Sequence, residues 1–147
     1  MTPTIVIDTR EQDPLSFSLP VERGTLTTWD YSIKGLESFL AVERKSPDDL
    51  VGCIKNGQRD RFERELSRGR GLDYFALVLE ADLKTLADGH YRSEMNPKAV
   101  VQSLLAFSVR YKLPVFFCPG REYAARVVES LLLKYVAELE KRLKAVA

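Results

Sequence analysis

The chain has 147 residues, 45% hydrophobic and 29% charged, and its 22 Lys and Arg against 21 Asp and Glu leave a formal net charge of +1. That length suits one domain able to bury most of its apolar surface, no apolar run approaches the roughly 20 residues that cross a bilayer, and the start M-T-P-T lacks a basic leader, so cytoplasmic residence is the expectation. Two cysteines and one histidine, His90, exclude a thiolate metal cage, a disulfide framework, a Ser-His-Asp triad and an H-E-x-x-H zinc helix.

The β-branched run Thr4–Asp8, bounded by Pro3 and the polar T-R-E-Q-D-P, predicts a strand. Asp13-Pro14 marks a turn, and Leu15–Arg23 reads as irregular, with Pro20 and Gly24 as breakers. Thr25–Ile33 is rich in β-formers and predicts a second strand; Lys34–Ser38 then turns into the strand Phe39–Lys45, and the two read as a hairpin. Ser46-Pro47-Asp48-Asp49 is a helix start: a capping serine, a proline in the first helical position, then acids in the first turn. Leu50, Ile54, Phe62 and Leu66 make its apolar stripe, bent around Gly57 and ending near Gly69-Arg70-Gly71, while Cys53 and Cys118 read as small buried hydrophobes.

Asp73–Ala81 predicts a central strand apolar on both faces. Leu83–Ala87 reads as a short helical turn before the D-G-H-Y-R loop, and Asn96-Pro97 opens a helix, Pro97–Lys112, apolar around most of its circumference and so expected to be well buried. Pro114–Cys118 predicts a second doubly buried strand. From Glu122 to about Ala145 runs a long helix with Val128, Leu132, Tyr135 and Leu139 on one stripe. A β-meander followed by helix, strand, helix, strand, helix gives an α/β fold, a mixed central sheet flanked by helices.

Charge is distributed unevenly. Lys55, Arg59, Arg61, Arg64, Arg68 and Arg70 face only Asp60, Glu63 and Glu65 over the same stretch. This basic excess reads either as a track for a nucleic-acid backbone, which adds salt-sensitive affinity without reading sequence, or as a solvated helix face with internal ion pairs. Just before it lies F-L-A-V-E-R-K-S-P-D-D, an apolar strand ending abruptly in Glu43-Arg44-Lys45.

Cutting a phosphodiester needs a water nucleophile, neutralisation of phosphate charge and help for the leaving oxygen, roles that a divalent cation fills. Mg2+, with Mn2+ as its substitute, takes hard oxygen ligands, and Asp8, Glu11, Asp30, Glu43 and Asp49 are the candidates. Lys45 follows Glu43 by two residues, so both side chains project from one face of the strand. Alone, E-R-K is also compatible with an ordinary solvated strand end. Asp13, Asp48 and Asp60 read as turn or surface residues, and Trp29 as core packing, with stacking on a base or sugar as its other reading.

Together these segments resemble the nuclease domain of the XPF/Hef structure-specific endonuclease family, a branch of the restriction-endonuclease-like PD-(D/E)XK fold. The family is marked by G-D, a variable gap, then E-R-K-x-x-x-D. Here Trp29-Asp30-Tyr31 stands where G-D-Y is expected, and Glu43-Arg44-Lys45 through Asp49 matches the second block. The opening I-V-I-D-T-R-E is similar to the family's first strand, Asn56-Gly57-Gln58-Arg59 with Phe62 to its d-G-R-L helix segment, and P-V-F-F-C-P-G-R-E-Y-A-A to its last strand and helix.

The resemblance implies a single nuclease domain over residues 1–147 without the family's tandem helix-hairpin-helix domain, and a Mg2+-dependent DNA endonuclease acting on branched, flapped or distorted duplexes. It makes Asp30 and Glu43 the core metal ligands, with Asp8 and Glu11 assisting on the metal or its waters. It makes Lys45 the group that orients the nucleophile, Arg10, Arg44 and Arg59 charge or phosphate partners, and Asp49 a support that holds an Arg or Lys. DNA is the implied partner, together with a homodimer through the C-terminal helices, whose stripe equally suits packing on the domain's own sheet. A small chain of this kind suits a phage or bacterial recombination or defence nuclease. Two other readings stay open: a catalytically silent DNA-binding or scaffolding module, and a nuclease acting on RNA or free DNA ends. The departure from the pattern is Trp29 in the glycine's place.

Overall fold

In the computed structural model, which describes residues 2–55 and 57–147, the run Ile5–Asp8 forms strand β1, buried along its whole length. Strand β2, Val21–Gly24, pairs with it in parallel, Ile5 opposite Val21. The segment 15–23 was expected to be irregular, and the first strands to meander; both expectations are overturned by β2. Its V-E-R-G sequence has no apolar alternation because it is an exposed edge strand held by backbone bonds. Strand β3 is Tyr31–Ile33 alone, not Thr25–Ile33, since Trp29 takes a left-handed backbone conformation (φ 71°) that stops the strand from extending backwards.

Strand β3 is antiparallel to both β1 and β4, Leu40–Lys45, so the expected hairpin is present. Strands β5, Tyr74–Leu79, and β6, Val115–Phe117, add in parallel, giving a six-stranded mixed sheet of order β2-β1-β3-β4-β5-β6. Strand β5 is the buried centre that its sequence predicts. Strand β6 is not doubly buried, because it closes the sheet edge and leaves Phe117 exposed.

Helix α1, Pro47–Ile54, starts at Ser46, whose Oγ accepts the Asp49 N–H at 3.2 Å, as the capping signature predicts. Gly57, at φ 87°, takes up the break before helix α2, Arg59–Arg70; Asn56 lies outside the described residues. Helices α3, Leu83–Ala87, α4, Pro97–Tyr111, and α5, Arg121–Ala145, complete the chain. Helices α1, α2 and α4 cover one face of the sheet, where Leu50, Ile54, Phe62, Leu66, Leu104 and Phe107 pack with Ala41, Phe75 and Leu77. Helix α5 covers the other, setting Val128, Leu132 and Tyr135 against Ile5, Tyr31, Leu40 and Val78. Each such side chain contributes about 1.5–3 kcal/mol when fully buried. Contrary to its all-round apolar sequence, α4 buries one face only and exposes Leu105 and Val109. No helix among the described residues is long and apolar enough to cross a membrane.

Two contacts between the layers give direct predictions. A Cβ built on Gly69 of α2 would come within 2.5 Å of Phe75 Cδ2, so the helix and β5 approach closely only because residue 69 has no side chain. Gly69→Ala is expected to destabilise the fold by about 1–3 kcal/mol in denaturant titration, the usual cost of overpacking. Where α2 meets α4, Glu63 accepts from Tyr111 Oη at 2.7 Å and from Arg59 Nε at 3.3 Å, and it also pairs with Arg110. Burial pushes the Glu63 carboxyl up, but Tyr111, Arg110 and Arg59 outweigh it and hold it below the ordinary value of 4.5. A depressed carboxyl contributes stability that is present above its unfolded value and lost as pH falls through the folded one. Glu63→Gln is therefore expected to lower the melting temperature at neutral pH and to flatten its decline below about pH 4.3, as read by circular dichroism.

Candidate active site

Strand parity decides what β4 presents. Ala41, Glu43 and Lys45 point to the α1/α2 face, and Leu40, Val42 and Arg44 to the α5 face. Glu43 is buried, and Lys45 Nζ lies 3.3 Å from its Oε2 and 5.2 Å from the centre of the Phe62 ring. Asp30 arrives at the same point from the β3 side of the hairpin. Its N–H donates to Val42 O at 3.3 Å, and its Oδ2 accepts the Arg44 N–H at 2.9 Å.

Burial and the neighbouring Glu43 carboxylate raise the Asp30 pKa far above the usual range. Burial works against the Lys45 ammonium, yet Glu43 beside it prevails, so Lys45 remains charged. The floor is thus two crowded carboxyl groups with the Lys45 ammonium beside Glu43.

Around this floor a cleft of about 220 Å³ is lined by Asp8, Arg10, Glu11, Thr27–Asp30 and Glu43, and by Arg61, Glu65 and Arg68 of α2. Asp8 is buried, with Oδ2 accepting from Arg10 Nε at 2.7 Å and Oδ1 from the Leu26 N–H at 2.9 Å. Burial lifts its pKa, but the Arg10 and backbone hydrogen bonds prevail and hold it low. Its oxygens are therefore engaged in fixing Arg10 and the chain entering Trp29. Glu11 lines the rim, with Oε1 accepting the Asp13 N–H at 3.1 Å.

Of the residues singled out from the sequence, Asp8, Arg10, Glu11, Asp30, Glu43 and Lys45 are brought together. Three lie elsewhere. Arg44 points to the opposite face of the sheet, where its Nε meets Glu80 Oε1 at 2.7 Å, and it serves the site only through its backbone N–H. Arg59 is directed at α4, donating to Ser103 Oγ at 2.8 Å and lying 4.9 Å from the Phe107 ring centre. Asp49 is exposed on the first turn of α1, outside the cleft lining, while Arg44 and Lys45 are held by Glu80 and Glu43.

In place of Arg44 and Arg59 the cleft receives Arg61 and Arg68, with Glu65 between them. The signal was available: residues 61, 65 and 68 are one face of a helix whose buried face is Phe62, Leu66 and Gly69. Cys53 is half-buried rather than buried, and its thiol lies against Lys45. A larger groove, about 580 Å³, runs between Ser16–Ser18 and the start of α5. There Glu129 is committed to Ser18 and Leu19, and Arg121 to Asp13 and Pro14, so the groove holds no comparable chemistry.

A family model described as the ERCC4 domain matches residues 5–131. The chain is 29% identical over 140 residues to the DNA repair endonuclease XPF of Cricetulus griseus, an alignment covering 88% of this chain and 15% of that protein. Among solved structures, XPF from Aeropyrum pernix superposes with a TM-score of 0.71 at 20% identity, over 90% of this chain and 61% of the other. XPF from Aeropyrum pernix in complex with DNA gives the same score and identity over 92% and 66%. The chain therefore spans a small part of the Cricetulus griseus protein and under two thirds of each Aeropyrum pernix chain. Its mixed sheet agrees with these matches: the chain belongs to the ERCC4 domain family, with the fold of the XPF-type nuclease domain.

Proposed function

We propose that the chain is a metal-dependent endonuclease that hydrolyses phosphodiester bonds in DNA at branched, flapped or otherwise distorted duplexes. The observation that carries this reading is the pair Asp30–Glu43, a half-buried and a buried carboxyl crowded together, with Lys45 3.3 Å from Glu43. Such a pair is stabilised by a divalent cation, and its hard oxygens fit Mg2+ or Mn2+. Among the described residues no group of three or more His, Cys, Asp or Glu forms a ready cage. A cation here would therefore rest on the Asp30 and Glu43 carboxyl oxygens, with water or substrate oxygens supplying the rest.

Asp30 and Glu43 would hold the cation, which would supply neutralisation of phosphate charge and polarisation of its oxygens. The chain's own groups do the rest. Lys45, fixed by Glu43 and Phe62, directs its N–H groups at the attacking water and the charge that develops on the phosphate. Arg10, Arg61 and Arg68 ring the carboxylate floor and take flanking phosphates, and Glu11 holds waters at the rim. Because the cation competes with the Asp30 proton, its binding tightens as pH rises.

The solved DNA complex of an XPF relative supports DNA as partner. The stripe on α5 is spent on the sheet, so a homodimer through the C-terminal helices would use what remains exposed, such as Tyr123 and Leu133. A silent scaffolding module is disfavoured, because Asp30, Glu43 and Lys45 are all present and assembled.

Cleavage of labelled flap, fork, nicked, four-way and linear DNA, and of RNA, in Mg2+ tests this reading. Lys45→Ala and Asp30→Asn are each expected to lose at least about 10²–10³-fold in rate while remaining folded and able to bind DNA. Unchanged cleavage in both variants overturns the assignment, and preferential attack on RNA or on free ends replaces the substrate class.

A further inference from the structure

Trp29 is the only tryptophan in the chain, and it occupies a backbone conformation that suits it badly. Among the described residues two that are not glycine have positive φ, Lys112 at 54° and Trp29 at 71°. Lys112 closes α4 from the surface, a common place for that conformation. Trp29 is 5% exposed and directly precedes Asp30. A bulky side chain disfavours the left-handed region by a factor of about 5–30, so something in the surroundings must enforce it.

The enforcing contact is on the helical side of the sheet. The indole lies 5.1 Å from the Phe75 ring, and Phe75 in turn sits over Gly69 of α2, where a Cβ would not fit. On its other side the chain is pinned at once. The Asp30 N–H donates to Val42 O at 3.3 Å, its carbonyl accepts the Asp8 N–H at 2.8 Å, and its carboxylate accepts the Arg44 N–H at 2.9 Å. Between an indole fixed in the core and an aspartate fixed in the sheet, one residue absorbs the change of direction. Beside the turn, two buried polar atoms, Thr28 Oγ1 and Trp29 Nε1, have no hydrogen-bond partner among the described residues.

We infer that Trp29 is a positioning residue for Asp30: its indole, wedged on Phe75 above Gly69, holds a one-residue left-handed turn that brings the Asp30 carboxylate onto Glu43. The same stack ties that turn to α2, whose Arg61, Glu65 and Arg68 form the facing wall, so the two sides of the cleft are set by one contact. This inference rests on the metal site proposed above.

The test separates backbone conformation from core filling. Mn2+ affinity is measured by calorimetry on Trp29→Gly, Trp29→Ala and Trp29→Phe, each checked by circular dichroism to be folded at the temperature used. Glycine adopts positive φ without penalty, whereas alanine keeps a Cβ and loses the indole that enforces the turn. Trp29→Ala is therefore expected to bind Mn2+ about tenfold or more weakly, while Trp29→Gly stays within about threefold of the native chain even though it leaves the larger void. Trp29→Phe, which keeps a ring on Phe75, should also stay near native affinity.

Equal Mn2+ affinity in Trp29→Ala and Trp29→Gly overturns the inference and leaves Trp29 as core filling. Should Trp29→Ala fail to fold, Phe75→Leu keeps the tryptophan and removes the ring supporting it; weakened Mn2+ binding is expected there, and native affinity overturns the inference. An Asp30→Asn control that binds Mn2+ as the native chain does overturns the metal site itself, a result distinct from the alanine–glycine comparison.

Discussion

Two carboxyl groups crowded together at the edge of the core organise this molecule. Asp30, just before β3, and Glu43, buried on β4, crowd together in a position that neither would occupy for stability. Removing a carboxylate from water without a partner costs several kcal/mol, and a second carboxylate alongside adds repulsion. Lys45 offsets part of that cost through Glu43, and the Asp30 proton takes up the rest. A site arranged in this way is poised to exchange a proton for a cation, which is the physical basis of the nuclease proposal.

The surrounding fold can be read as what keeps this arrangement from relaxing. The register of β3 against β4 sets Asp30 beside Glu43, and the Arg44 N–H holds the Asp30 carboxylate in place. Asp8 bridges the Leu26 N–H and Arg10, and its own N–H holds the Asp30 carbonyl, so β1, the 26–30 segment and β3 move as one. On the other side α2 closes over Lys45 with Phe62 and reaches the sheet through Gly69 against Phe75. Packing density in that layer therefore bears directly on the shape of the cleft, because a small shift of α2 alters both the arginine wall and the turn at Trp29.

What could be read from the chain alone follows a physical division. Glu43 and Lys45 on one face, the Ser46 cap, the central strand β5 and the break at Gly57 are local facts of parity, capping and hydrophobic runs, and they stand. Strand β2 was missed because an exposed edge strand owes its existence to backbone pairing, which leaves little trace in side chains. The strand drawn through Thr25–Ile33 failed at Trp29, where tertiary packing overrides the intrinsic backbone preference of a large residue. Arg44 and Arg59 were placed at the site by motif position, yet strand parity turns one away and helix phase the other, and the same phase delivers Arg61 and Arg68. Motif position picked out the carboxyl groups on the cleft floor, and helix phase the arginines of its wall.

The central claim is that Asp30 and Glu43 share a site that needs a cation, and carboxyl-detected nuclear magnetic resonance tests it most directly. In the metal-free protein the Asp30 carboxyl should titrate far above the ordinary range, and saturating Mg2+ should bring it down into or below that range. An Asp30 that titrates as a normal aspartate and does not respond to Mg2+ would contradict the account.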